Sequence, residues 1–77
     1  MSPRLPRINA DDIIRVLEKT GFALSRQSGS HKIYRNSAGK RVTVPYHKGK
    51  ILHPRLLTSI LKDANLGQED LHRLLED

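Results

Sequence analysis

At Gly21 the apolar period of this chain changes, and no other feature limits its fold as much. Before Gly21, the residues Ala10, Ile13, Ile14 and Leu17 fall at i, i+3, i+4, i+7, one face of a helix. After it, Phe22 and Leu24 alternate with Ala23 and Ser25, the period of a strand. A chain with both periods is neither a helical bundle nor an all-strand barrel. Asn9 is placed to cap the helix, with Asp12 three positions on to return the bond. Asp11 and Asp12 suit the positive end of the helix dipole. Gly21 is a left-handed stop, so the helix is expected over Ala10–Thr20.

The period of two then continues through three runs. Phe22 to Arg26 leads into Ser28-Gly29-Ser30, a turn by composition. His31 to Arg35 leads out of it. Asn36-Ser37-Ala38-Gly39 makes a second hairpin turn, and Arg41 to Val44 a third strand ended by Pro45. The runs predict an antiparallel three-stranded meander. One face should pack on the helices through Phe22, Leu24, Val42 and Val44, with Ile33 joining them if its register agrees. Tyr46 to Leu52 reads as a loop. Pro54 suits the first turn of a second helix, where Leu57, Ile60, Leu61 and Ala64 repeat the helical spacing. After Asn65-Leu66-Gly67, residues Gln68 to Leu75 form a short third helix with Leu71, Leu74 and Leu75 on one side. The expected class is α+β, in the order α-β-β-β-α-α. Residues 1–8, with two prolines, read as a flexible extended arm, and residues 9–77 as a single domain. A domain of this length buries only about 60% of its unfolded surface, so its stability margin is thin.

There is no cysteine, which removes disulfides and thiolate metal sites. The first residues hold no apolar run of a signal peptide, and no stretch is long and apolar enough to cross a membrane. A soluble cytoplasmic protein is expected. The net charge is +6, but its layout says more than its sum. Between Glu18 and Asp63 there is no acid, while Lys19, Arg26, Lys32, Arg35, Lys40, Arg41, Lys48, Lys50, Arg55 and Lys62 all fall there. A block this one-sided repels itself and calls for an anionic partner, and nucleic acid fits it best.

The absences narrow the chemistry. With no carboxylate in the sheet or its loops, neither a two-metal nuclease site nor paired-carboxylate catalysis has its residues there. No phosphate loop of the nucleotide-binding type is present, and His31, His47, His53 and His72 match no zinc spacing. No cofactor and no metal is therefore expected. What remains is histidine among cations. An imidazole exchanges a proton near neutral pH. RNA carries its own nucleophile, the 2′-OH, so a base plus cations that stabilise the phosphorane can cut its backbone. His31, where the turn re-enters the sheet, is the candidate catalytic acid or base. Arg26, Lys32, Lys48 and Lys50 could hold phosphate, and His47 could move the second proton. Ser28, Gly29 and Ser30 could present the turn to a phosphate, and Tyr34 could stack on a base. Each has a plain structural alternative: Tyr34 fills the sheet, the others turn or wet the surface.

The run Gly21-Phe22, then Arg26-Gln27-Ser28-Gly29-Ser30-His31-Lys32-Ile33-Tyr34, resembles the core motif of the HicA family of toxins. So does Val42-Thr43-Val44-Pro45-Tyr46-His47, followed by Pro54, Leu57 and Ser59-Ile60-Leu61-Lys62. The resemblance spans residues 9–66. It implies a small α-β-β-β-α protein similar to the double-stranded-RNA-binding fold, here with an extra C-terminal helix. It implies the toxin of a type II toxin–antitoxin system, a ribosome-independent, metal-independent endoribonuclease (mRNA interferase) acting on single-stranded RNA or mRNA. The family's catalytic histidine falls on His31, and its partner is a HicB-type antitoxin. One departure stands out. The family's second helix usually opens Pro-Gly-Thr-Leu, whereas this chain has Pro54-Arg55-Leu56-Leu57, so its start should be less well capped, and Arg55 could meet phosphate or an acidic antitoxin. Two other functions fit the same composition: a non-catalytic RNA-binding module, and a DNA-binding regulator. The regulator would need base-reading side chains on a helix, and here the basic block lies on strands and loops.

Overall fold

In a computed structural model of the chain, the described residues are 5–76. The order is α1 (Ala10–Lys19), β1 (Ala23–Ser28), β2 (His31–Arg35), β3 (Arg41–Pro45), α2 (Pro54–Asp63) and α3 (Gln68–Glu76). The strands form one antiparallel sheet in the order β1-β2-β3. This is the α+β architecture expected, an open three-stranded sheet with helices on one face, of the double-stranded-RNA-binding type.

Local chemistry explains the boundaries. The Asp12 N–H donates to Asn9 Oδ1 at 2.9 Å, and the Asn9 N–H donates to Asp12 Oδ2 at 3.2 Å, so the capping box closes with an Asp in place of the usual Glu. Thr20 caps the other end, and Gly21 turns the chain out at φ 97°. The Asn36 side chain accepts from the N–H groups of Ala38 and Lys40 and so builds the β2–β3 turn. The start of α2 is better capped than expected. His53 Nδ1 accepts from the Arg55 N–H at 3.1 Å, an imidazole standing in for the missing threonine.

The core lies between the sheet and the helices. Ile13, Leu17, Leu57, Ile60 and Leu71 meet Phe22, Tyr34, Val42 and Val44. One expectation for the sheet is corrected, and the register of Ile33, left open by the sequence, is decided. Leu24 lies on the core face by register but is 49% exposed, because α1 and α2 pack over β3 at the other edge of the sheet and leave this part of β1 uncovered. Ile33 does not join the core: it pairs with Thr43, while Tyr34 pairs with Val42. Since side chains alternate along a strand, Tyr34 faces the helices and Ile33 the open side. Of the expected arm, residues 1–4 lie outside the described residues, and residues 5–8 run against the domain. Leu5 packs against the core, Ile8 is buried, and the Leu52 N–H donates to the Ile8 carbonyl at 2.8 Å.

Candidate active site

The site starts from a two-residue turn. Ser28 pairs directly with His31, leaving only Gly29 and Ser30 to reverse the chain. Gly29 has φ 58°, and Ser30 keeps a negative φ, since Asn65 alone of the described non-glycine residues is positive. That is the type II′ hairpin, which needs glycine at its first position. The turn is clamped from outside as well. The Tyr46 N–H donates to the Ser30 carbonyl at 2.6 Å, and Gln27 Nε2 donates to the Gly29 carbonyl at 3.1 Å. His31 is the next residue, the first of β2, and its side chain is exposed. It is held by a rigid backbone and still open to solvent.

Two demands on β1 conflict. The core wants Phe22 and Leu24 on the helix face, and the turn sets Ser28, and with it Arg26, on the face of His31. By simple alternation Leu24 and Arg26 would share a face. A bulge at Ser25 resolves this: Leu24 pairs with Tyr34, Arg26 with Ile33, and Ser25 is the extra residue between them. Arg26 and Ser28 thereby join His31 on the open side. On the other flank His31 pairs with Pro45. Beyond Pro45, the loop closes with the Lys50 N–H donating to the His47 carbonyl at 3.1 Å. Pro45, His47, Lys50 and His53 line a cleft of about 110 Å³ against Leu52 and Leu56. Pro45 is thus shared between the His31 side and the His47–Lys50 side. Lys48 is exposed in the same loop but does not line the cleft.

Two of the expected RNA-binding residues lie elsewhere. Tyr34 is 3% exposed within the core, so its ring offers no face to a base. Lys32 pairs with Val44 and points to the helix side, where its ammonium lies 4.0 Å from the centre of the Tyr46 ring. It is committed to that ring and does not share the face of His31. The Tyr46 hydroxyl in turn meets Asp11 of α1. The Asp11 carboxylate, accepting its hydrogen bond, raises the Tyr46 pKa above the ordinary value, with desolvation and the Asp11 charge adding to it. Tyr34 is raised as well, first by burial, then by the charges of Glu18 and Asp11.

The register also brings forward residues that sequence reasoning left in the general basic block. Arg35 and Arg41 pair directly across β2 and β3, on the same face as His31. The signal was available: Arg35 shares the parity of His31, and Arg41 that of Thr43. Pro45, the lateral neighbour of His31, looked only like a strand end. Among the described residues no three His, Cys, Asp or Glu side chains gather as a metal cluster. No helix among them is long and apolar enough to cross a membrane.

His31 is thus an exposed histidine at a hairpin, between Ser28 and Pro45 in the ladder, with Arg26, Arg35 and Arg41 farther along the same face and no carboxylate in the sheet. No curated protein matches the chain. The family model described as the HicA toxin of bacterial toxin–antitoxin systems matches residues 10–66, well over half of the chain and all of α1 to α2, and this protein belongs to that family.

Proposed function

We propose that this toxin is an endoribonuclease that cuts mRNA without the ribosome and without a metal, with His31 as its catalytic acid or base. Membership of a toxin family gives it an antitoxin as partner; we take that antitoxin to be of the HicB type and the site of action to be the cytoplasm. The observation that carries the reading is the position of His31, exposed at the first residue of β2 and held by a clamped type II′ turn. Rigid placement matters because a proton-transfer group must stay within hydrogen-bond reach of one oxygen. The 2′-oxygen attacks phosphorus, the bond to the 5′-oxygen breaks, and the products are a 2′,3′-cyclic phosphate and a 5′-hydroxyl. His31 either removes the 2′-OH proton or supplies one to the leaving 5′-oxygen. His47, in the loop that follows Pro45, is our candidate for the other transfer. Arg26 and Lys50 offset the charge that grows on the phosphorane, and Ser28 offers a hydroxyl beside the imidazole.

The test is cleavage of a purified mRNA in EDTA by the wild type and by His31→Ala. Loss of one proton-transfer group costs roughly 10²–10⁴-fold in rate. The expected result is cutting by the wild type with cyclic-phosphate ends, a loss of that size in the variant, and RNA binding retained. Equal cutting by both proteins would remove His31 from the mechanism. No cutting by either, with binding intact, would leave an RNA-binding module of the same fold.

A further inference from the structure

The open face of the sheet carries a repulsion that the fold does not relieve. Arg35 and Arg41 stand directly opposite each other in the ladder, both exposed. Arg26, carried to this face by the bulge, pairs with Ile33, the next position along β2 from Arg35 on that side. Like charges directly opposite one another destabilise a sheet. No carboxylate compensates for it. Among the described residues the two ion pairs, Arg15 with Asp12 and Arg73 with Asp70, are both within helices. Every described acid is also on a helix, and the helices cover the other face. Between the arginines lies Ile33, only 8% exposed although outside the core cluster, so its burial comes from this side. Long arginine stems lying along apolar surface while their heads stay in water are a familiar cause.

Resting on the endoribonuclease reading, we infer that Arg26, Arg35 and Arg41 hold the backbone phosphates of a single RNA strand that crosses the open face to reach His31. Arg35 lies four residues along β2 from His31, about 13 Å. That is further than one nucleotide needs, so the enzyme grips RNA well beyond the bond it breaks. A single strand fits, because in-line attack needs a backbone free to turn its 2′-oxygen toward phosphorus. The strand runs on the side opposite Lys32, Tyr34 and the acids of α1.

The test uses the full chain in a His31→Ala background, so that bound RNA is not cut. A labelled single-stranded RNA oligonucleotide is titrated over a range of salt concentrations, with and without Arg35→Gln and Arg41→Gln together. Removing one cation from a phosphate should flatten the dependence of log K on log salt by about 0.7. The pair should therefore flatten it by about 1.4 and weaken binding at low salt. Thermal unfolding should be unchanged or shifted upward, because a repulsion is removed; a lower midpoint would mean the arginines support the fold. An unchanged slope with unchanged affinity overturns the inference. Failure of the enzymatic reading looks different: cutting survives His31→Ala in the otherwise wild-type chain, or that variant binds no RNA.

Discussion

His31 and Lys32 are chain neighbours that end on opposite sides of one sheet, and their fates differ accordingly. The imidazole is open to solvent, while the ammonium rests on the Tyr46 ring. Tyr46, Asp11 and the buried Tyr34 link the sheet to α1, and the two tyrosines are the only ones in the chain. Both hold their protons above the usual value of 10.0. A group with a raised folded pKa binds protons better folded than unfolded. Its contribution to stability is therefore complete below pH 10.0 and is lost as the pH rises through the folded values. Titration by the ultraviolet absorbance of tyrosinate should show both groups ionising later than free tyrosine. In Asp11→Asn, Tyr46 should move back toward the ordinary value, since its principal cause is gone. A Tyr46 that titrates identically in the two proteins would remove Asp11 as that cause.

Among the elements, α3 is the one whose role was hardest to judge from the chain. It lies beyond residues 10–66 that match the family, and its sequence is short and charged. The structure makes it part of the core. Leu71 is fully buried, Leu74 nearly so, and α3 packs on α1, with Lys19 Nζ donating to the Leu74 carbonyl at 2.7 Å. Leu71→Ala should then cost about 2–5 kcal/mol, the range for truncating a buried leucine. In a domain this small that is a large part of its total stability. The denaturant midpoint measures it, and a loss under about 0.5 kcal/mol, typical of surface changes, would make α3 an appendage. The bulge in β1 is the other element-level device. It serves packing and site together, keeping Leu24 with Tyr34 and Arg26 with Ile33.

The whole molecule is divided by charge. Described acids are confined to the helix layer, and the open face of the sheet with its adjoining loop is basic. A net charge of +6 on so small a body opposes its compact state. Raising the ionic strength from about 0.01 M to 0.15 M shortens the screening length from about 30 Å to 8 Å. The protein alone should therefore melt at a higher temperature in the second condition, while its affinity for RNA falls. Thermal unfolding and RNA titration at the two salt concentrations check this together. A melting temperature that does not rise would mean the basic residues are already well separated in the fold.

Most of the architecture was legible in the chain, because it rests on local rules. The switch of period at Gly21, the Asn9–Asp12 cap, the glycine that a tight hairpin requires and Pro54 at a helix start are each fixed within a few residues. His31 was legible for the same reason, sitting one residue after its turn. The faces of the sheet were not. Which side Ile33, Tyr34, Lys32 and Arg26 take depends on how three strands align, and a shift of one residue reverses every side chain. That alignment is settled by pairings between strands: Tyr34 with Val42, Leu24 with Tyr34, and the extra residue Ser25 that lets both hold. The sequence by itself determined the elements, their order and the histidine at the turn. Only the tertiary structure decided which cations share the face of that histidine, because register is a property of paired strands and not of any one of them.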